Sequence, residues 1–143
     1  MLKASWPPLR KIRYFMETRV RPLFNSWSLW ELALISAAAG VCEEALFRGA
    51  LPGGLSRWMH PVAALLVASA AFGLCHFITR TYAVIAGVLG IYLGGLWLAT
   101  GSLLAPMITH AVYDFVALVC FLRLTPPCEH LGTRGCVREN AAD

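Results

Sequence analysis

Glu43 and Glu44 stand side by side in the middle of a long apolar run, and Arg48 follows one helical turn after Glu44. A carboxylate can take a proton from water, and a histidine can share that task. Two histidines lie in later apolar runs: His76, four residues after Phe72, and His110, four residues before Asp114. A second polar pair of this kind can steady the oxyanion that forms when a carbonyl is attacked. An ionisable group at membrane depth costs about 2.5–3.5 kcal/mol on insertion scales, so each of these residues is a functional candidate by default. Residues four apart share a helix face, which lets Glu44 pair with Arg48 and His110 with Asp114. Glu43, turned by about 100° from Glu44, can point elsewhere into a bundle.

The elements that must hold these residues follow from composition and punctuation. Of 143 residues, 58% are hydrophobic and 14% charged, against roughly a quarter charged in soluble domains. The charges gather at the two ends of the chain. That is the composition of an integral membrane protein, and the runs are helical in length and pattern, so the expected class is all-α: a transmembrane bundle of about four helices around a polar cavity. Residues 1–27 carry Lys3, Arg10, Lys11, Arg13, Arg19 and Arg21 against Glu17. Such a basic amphipathic arm suits a surface of anionic lipid, with a merely solvated arm as the alternative. The spanning core is 28–122. Its helices are expected from Leu29 to Leu51, with Leu55 as a later limit, Pro61 to Thr79, Tyr82 to Thr100, and Ser102 to Leu122. Ala83, Gly87, Gly90, Gly94 and Gly95 allow close helix approach, although glycine is common in membrane helices anyway. Residues 123–143 form a polar tail.

The excess of Lys and Arg on one side of such a bundle places both termini in the cytoplasm. The net charge of +4 is then lipid-facing and topological, and no aromatics interleave with the basic residues in a nucleic-acid pattern, which argues against a nucleic-acid partner. The basic start runs into Trp6 and two prolines rather than an apolar segment, so no cleavable signal peptide is expected. Cys42, Cys75 and Cys120 lie in apolar runs and read as small hydrophobes. Cys128 and Cys136 could pair, or with His130 catch a metal, but their spacing matches no standard zinc pattern.

Two glutamates, two histidines, an arginine and an aspartate on three helices should converge. Three uses compete on the residues alone: a polar network that only holds the bundle together, a proton relay or ion path, and hydrolysis. Histidines and glutamates could also ligate a catalytic zinc, although no H-E-x-x-H is present. Straight helices with these limits raise one difficulty. Glu43 falls near mid-membrane and His76 near the cytoplasmic end of its helix, about 10 Å apart in depth.

Glu43-Glu44-x-x-x-Arg48, Phe72-x-x-x-His76 and His110-x-x-x-Asp114, in that order, resemble the three motifs of the CAAX protease and bacteriocin-processing (CPBP, or Abi) family of glutamic-type intramembrane endopeptidases. The resemblance covers roughly Trp30 to Leu122. It implies a helical bundle with an intramembrane cavity, no cofactor, and a membrane-anchored protein or peptide as substrate. By the same resemblance Glu43 with His76 activates water, while His110 and Asp114 bind and polarise the scissile carbonyl. Glu44 supports the site through Arg48, and Phe72 packs beneath it or is simply core. The family often carries asparagine where this chain has Asp114. An ionised aspartate cannot donate to an oxyanion, so Asp114 is either protonated by burial or orients His110. Many relatives have more helices, and oligomerisation or the basic arm could supply missing walls. The implied setting is a bacterial inner membrane, with C-terminal processing or sorting as the role. A non-catalytic scaffold or bacteriocin-immunity factor is the rival.

Overall fold

A computed structural model of the chain describes residues 7–126. The tail cysteines Cys128 and Cys136, with His130, lie outside the described residues, as does the start of the arm. Among the described residues the structure is all-helical, without strands. Helix α1 covers residues 7–24, with a π-helical turn at Met16–Val20. Helix α2 covers residues 29–55, α-helical at Leu29–Glu44 and Leu51–Leu55 with a π-helical stretch, Ala45–Ala50, between. Helix α3 is Pro61–Cys75, α4 is Arg80–Thr100, and α5 is Leu104–Leu124, whose last turn is π-helical.

Local chemistry accounts for these limits. Ser28 and Glu31 form a capping box that starts α2: the Ser28 hydroxyl accepts from the Glu31 N–H, and the Glu31 carboxylate accepts from the Ser28 N–H. Pro61 opens α3 at the position where its missing N–H is harmless. Gly101, at φ 65°, closes α4 in the left-handed conformation that favours glycine. Helix α2 runs on through Pro52 to Leu55 because Pro52 follows the wider π-helical stretch, where the usual i−4 hydrogen bond is already relinquished.

Four expected limits are corrected, two of them small: α4 starts at Arg80 rather than Tyr82 and α5 at Leu104 rather than Ser102. Helix α3 ends at Cys75, not Thr79, and its 15 residues span about 22 Å, short of the roughly 30 Å of a hydrocarbon core. The last helix extends to Leu124, so Arg123 belongs to it rather than to the tail. Among the described residues, two helices, α4 and α5, qualify by length and composition to cross a membrane.

A small apolar core that includes Leu32, Leu65, Phe72 and Leu93 is buried together with several polar side chains. Leu34, Leu46, Leu66, Val88, Ile108 and Val116 face outward, whereas Ser36, Glu44, Arg48, Ser69 and His110 are buried. Helix α2 packs along α5 and α3 along α4. Both seams close on glycine. A Cβ on Gly40 would sit 2.7 Å from the Met107 carbonyl, and one on Gly73 2.5 Å from that of Ala83. Of the small residues expected to act on α4, Gly90 and Gly94 meet Ser69 and Leu65 closely, while Gly95 faces open space.

The arm is docked rather than loose. Arg21 pairs with Glu17 at 2.6 Å, stacks on Phe121 and donates to the carbonyls of Phe121, Leu122 and Thr125 at the end of α5. Arg123 returns the contact to the carbonyls of Asn25 and Trp27. Each arginine thus caps the C-terminal end of the other's helix, where free carbonyls favour a cation.

Candidate active site

The loop 56–60 folds α3 back along α2, so Phe47 meets Phe72 with ring centroids 5.2 Å apart. One turn further from the loop, Glu43 meets His76: Oε2 lies 3.7 Å from Nε2. The expected 10 Å gap in depth is therefore absent. It came from ending the first helix at Leu51; with α2 running on to Leu55, Glu43 lies about as far from the loop as His76, the C-cap of α3. The His76 backbone, at φ −97° and ψ 25°, occupies the sparsely populated bridge region in which many active-site residues sit.

All six polar candidates come together. Glu44 Oε1 accepts from Arg48 at 2.6 Å and faces His110 Nδ1 at 2.8 Å. Arg48 also donates to the Gly90 carbonyl at 3.0 Å, and its guanidinium lies 4.7 Å over the Phe72 ring. His110 Nε2 is 3.9 Å from Glu43 Oε2 and 3.4 Å from Asp114 Oδ2. Phe72 lies under both histidines, 4.4 Å from His76 and 5.9 Å from His110 between ring centroids. The ring nitrogens are assigned by their partners. His76 Nδ1 faces the Phe72 carbonyl at 2.9 Å; a carbonyl only accepts, so Nδ1 carries the proton and Nε2 is left for Glu43. The group on His110 Nδ1 is Glu44, while Asp114 stands on the Nε2 side.

Exposure divides the set. Side chains of Glu44 and Arg48 are 0% and 1% exposed, against 32% for Glu43 and 29% for His76. A pocket of about 110 Å³ opens beside the histidines, lined by Phe72, His76, His110 and Asp114 and by apolar and tyrosine side chains of α4 and α5. Glu43 is not among its lining residues. Motif reading missed four contributors: the Gly90 carbonyl, which has no sequence signature, and Tyr82, Tyr92 and Tyr113 in the pocket wall. Tyr82 carried a weak signal, as the third residue after the helix-capping Thr79, whose hydroxyl accepts its N–H at 3.1 Å. Among the described residues, no group of three or more His, Cys, Asp or Glu is arranged to hold a metal ion.

The family model described as type II CAAX prenyl endopeptidase Rce1-like matches residues 25–116, an interval that contains every residue of this constellation. The chain belongs to the Rce1-like family. No curated protein and no solved structure matches. This family is one of proteases and falls within the CAAX protease grouping indicated by the three motifs. Together with the apolar helices α4 and α5, membership makes the chain a membrane protein. Helix α1 and the end of α5, which carry the two capping arginines, lie beyond the matched interval.

Proposed function

We propose that this Rce1-like chain is an intramembrane endopeptidase that hydrolyses a peptide bond of a membrane-associated protein or peptide, with Glu43 and His76 activating the water. One observation carries the reading. Glu43 Oε2 is buried without a hydrogen-bond partner, yet faces Nε2 of both His76 and His110. A carboxylate oxygen aimed between two imidazole nitrogens suits a water that must lose a proton.

In this mechanism the water gives its proton to the Glu43–His76 pair as its oxygen bonds to the carbonyl carbon. The carbonyl electron pair moves onto oxygen. In its charged form His110 carries a proton on Nε2 and donates it as a hydrogen bond to that oxyanion, while Glu44 holds Nδ1. Collapse breaks the C–N bond, and the proton taken from water passes to the leaving amine. Glu44, fixed by Arg48, orients His110. Asp114 flanks Nε2 and sets the direction of the ring.

The same reading places α2 to α5 in a bacterial inner membrane, with cytoplasmic termini and the basic arm against anionic lipid. Trp30, in the first turn of α2, and Trp58, in the loop that follows it, are 71% and 87% exposed. Helix α2 is about 40 Å long at 1.5 Å per residue, the thickness of a bilayer with its interfaces. The irregular backbone from His76 to Thr79 fits a wet entry, because unpaired backbone is tolerated at membrane depth only beside protein or water. The substrate class fits C-terminal processing or sorting; a prenyl group is not required by this chemistry.

The test is cleavage of membrane-anchored peptides by the purified protein in detergent. Glu43→Gln is expected to lower turnover by about 10²–10⁴-fold, the span of general-base contributions; full activity would sink the mechanism. Loss of activity with a strong chelator would replace it by a zinc-dependent one. A protein that cleaves nothing, yet loses its cellular effect through Glu43→Gln, would be a scaffold or immunity factor.

A further inference from the structure

The electrophilic side of the site is short of uncharged donors. Asp114, 33% exposed in its side chain, can only accept when ionised. His110 Nε2 is shared between Glu43 and Asp114 at 3.9 and 3.4 Å, so its one proton has carboxylates competing for it. The amide of an asparagine would have donated from position 114; here no amide side chain lines the pocket.

The pocket nevertheless contains a hydroxyl from a third helix. Tyr82 stands in the first turn of α4 and lines the same small cavity as His76, His110 and Asp114. It is half-buried, and its phenol lies within electrostatic range of Asp114, Glu43 and Tyr113. Its backbone is held where the side chain leaves it, because the Thr79 cap accepts the N–H of Tyr82 itself. Tyr92 and Tyr113, the other phenols lining the cavity, are more exposed, at 59% and 54%.

We infer that Tyr82 is a further catalytic residue, whose phenol O–H donates to the oxyanion of the tetrahedral intermediate and supplies the neutral donor that Asp114 lacks. It rests on the hydrolytic reading above. No proton is transferred: the phenol keeps its hydrogen and shares it with the developing charge, while the water proton travels by Glu43 as before. Such a donor acts in the transition state more than on the bound peptide, so its removal should lower kcat and leave KM unchanged.

The experiment is a four-member cycle of wild type, Tyr82→Phe, Asp114→Asn and the double variant, each assayed for peptide cleavage, with Glu43→Gln alongside. Tyr82→Phe is expected to lower kcat by about 100-fold, the scale of one oxyanion donor, at constant KM. In the Asp114→Asn background, where an amide donor is restored, the same change should cost less than about tenfold. A merely structural tyrosine would give equal losses in both backgrounds, and that result overturns the inference. So does an unchanged kcat in Tyr82→Phe, or a folded but inactive Asp114→Asn. Full activity in Glu43→Gln would instead bring down the hydrolytic reading, so the two failures are told apart in one assay.

Discussion

Glu43 and Glu44 are neighbours in the chain but belong to different halves of the site. Glu44 sits in a sealed half: it is fully buried, bridged to Arg48 and His110, and Arg48 continues to the Gly90 carbonyl. Glu43 sits in an open half with His76 and Asp114, each about a third exposed, at distances of 3.4–3.9 Å that are too long for firm hydrogen bonds. The first half ties α2, α4 and α5 together. The second leaves room for a reactant between its groups. Adjacent residues can divide in this way because a helix turns each next side chain by about 100°.

The sharpest way to break this division is to remove each carboxylate in turn. Glu43→Gln keeps the size of a partly exposed side chain, so its unfolding temperature in detergent should match wild type while cleavage is lost. Glu44→Gln leaves the Arg48 guanidinium buried without its counter-charge. Breaking a buried pair from one side is expected to destabilise by about 3–5 kcal/mol, read as a large drop in unfolding temperature. If Glu43→Gln unfolds and Glu44→Gln does not, the two halves have been assigned the wrong way round.

The α3–α4 seam tests whether the site depends on its neighbours through shape alone. Gly73 has no space for a methyl group, since its Cβ would press the Ala83 carbonyl and the Gly87 backbone. Gly73→Ala should cost about 1–3 kcal/mol as overpacking and move His76, three residues on, away from Glu43. Gly95→Ala, with nothing within 4 Å of its Cβ, should leave stability and cleavage alone. Equal effects of the two would mean that the close approach of α3 to α4 is not what sets His76.

The polar constellation was legible in the sequence because charge inside an apolar run has few bland explanations. Glu43, Glu44, His76, His110 and Asp114 could all be singled out by helical spacing. Helix starts were legible where a cap or proline marks them, at Ser28 and Pro61. The stop at Cys75 was not, because Phe77 and Ile78 continue the apolar pattern while the backbone leaves the helix. Nor was the second contact of Glu44: spacing within one helix reveals Arg48, but His110 comes from another helix, and its nearness depends on Gly40 letting α5 approach. Arg21 was read with the other basic residues of the arm as facing lipid. Locally only Glu17, four residues before it, distinguishes it from Arg19, which lies outside the clamp; what selects Arg21 for the clamp is the end of α5, a hundred residues away.

That clamp offers the smallest effect and the finest cut between holding and reacting. Arg21 donates to three terminal carbonyls of α5, but those lie well beyond Asp114 along the helix. Arg21→Gln keeps a donor while losing the charge that complements the helix end. The expected loss is about 1 kcal/mol, typical of a cation at a helix C-terminus, seen as a modest fall in unfolding temperature that wild-type protein approaches at high salt. Turnover well below that temperature should not change, because His110 is fixed by Glu44 and the Gly40 contact rather than by the far end of its helix. A fall in kcat without a fall in stability would show that the arm reaches the chemistry through α5, and the open half of the site would then extend further than its six residues.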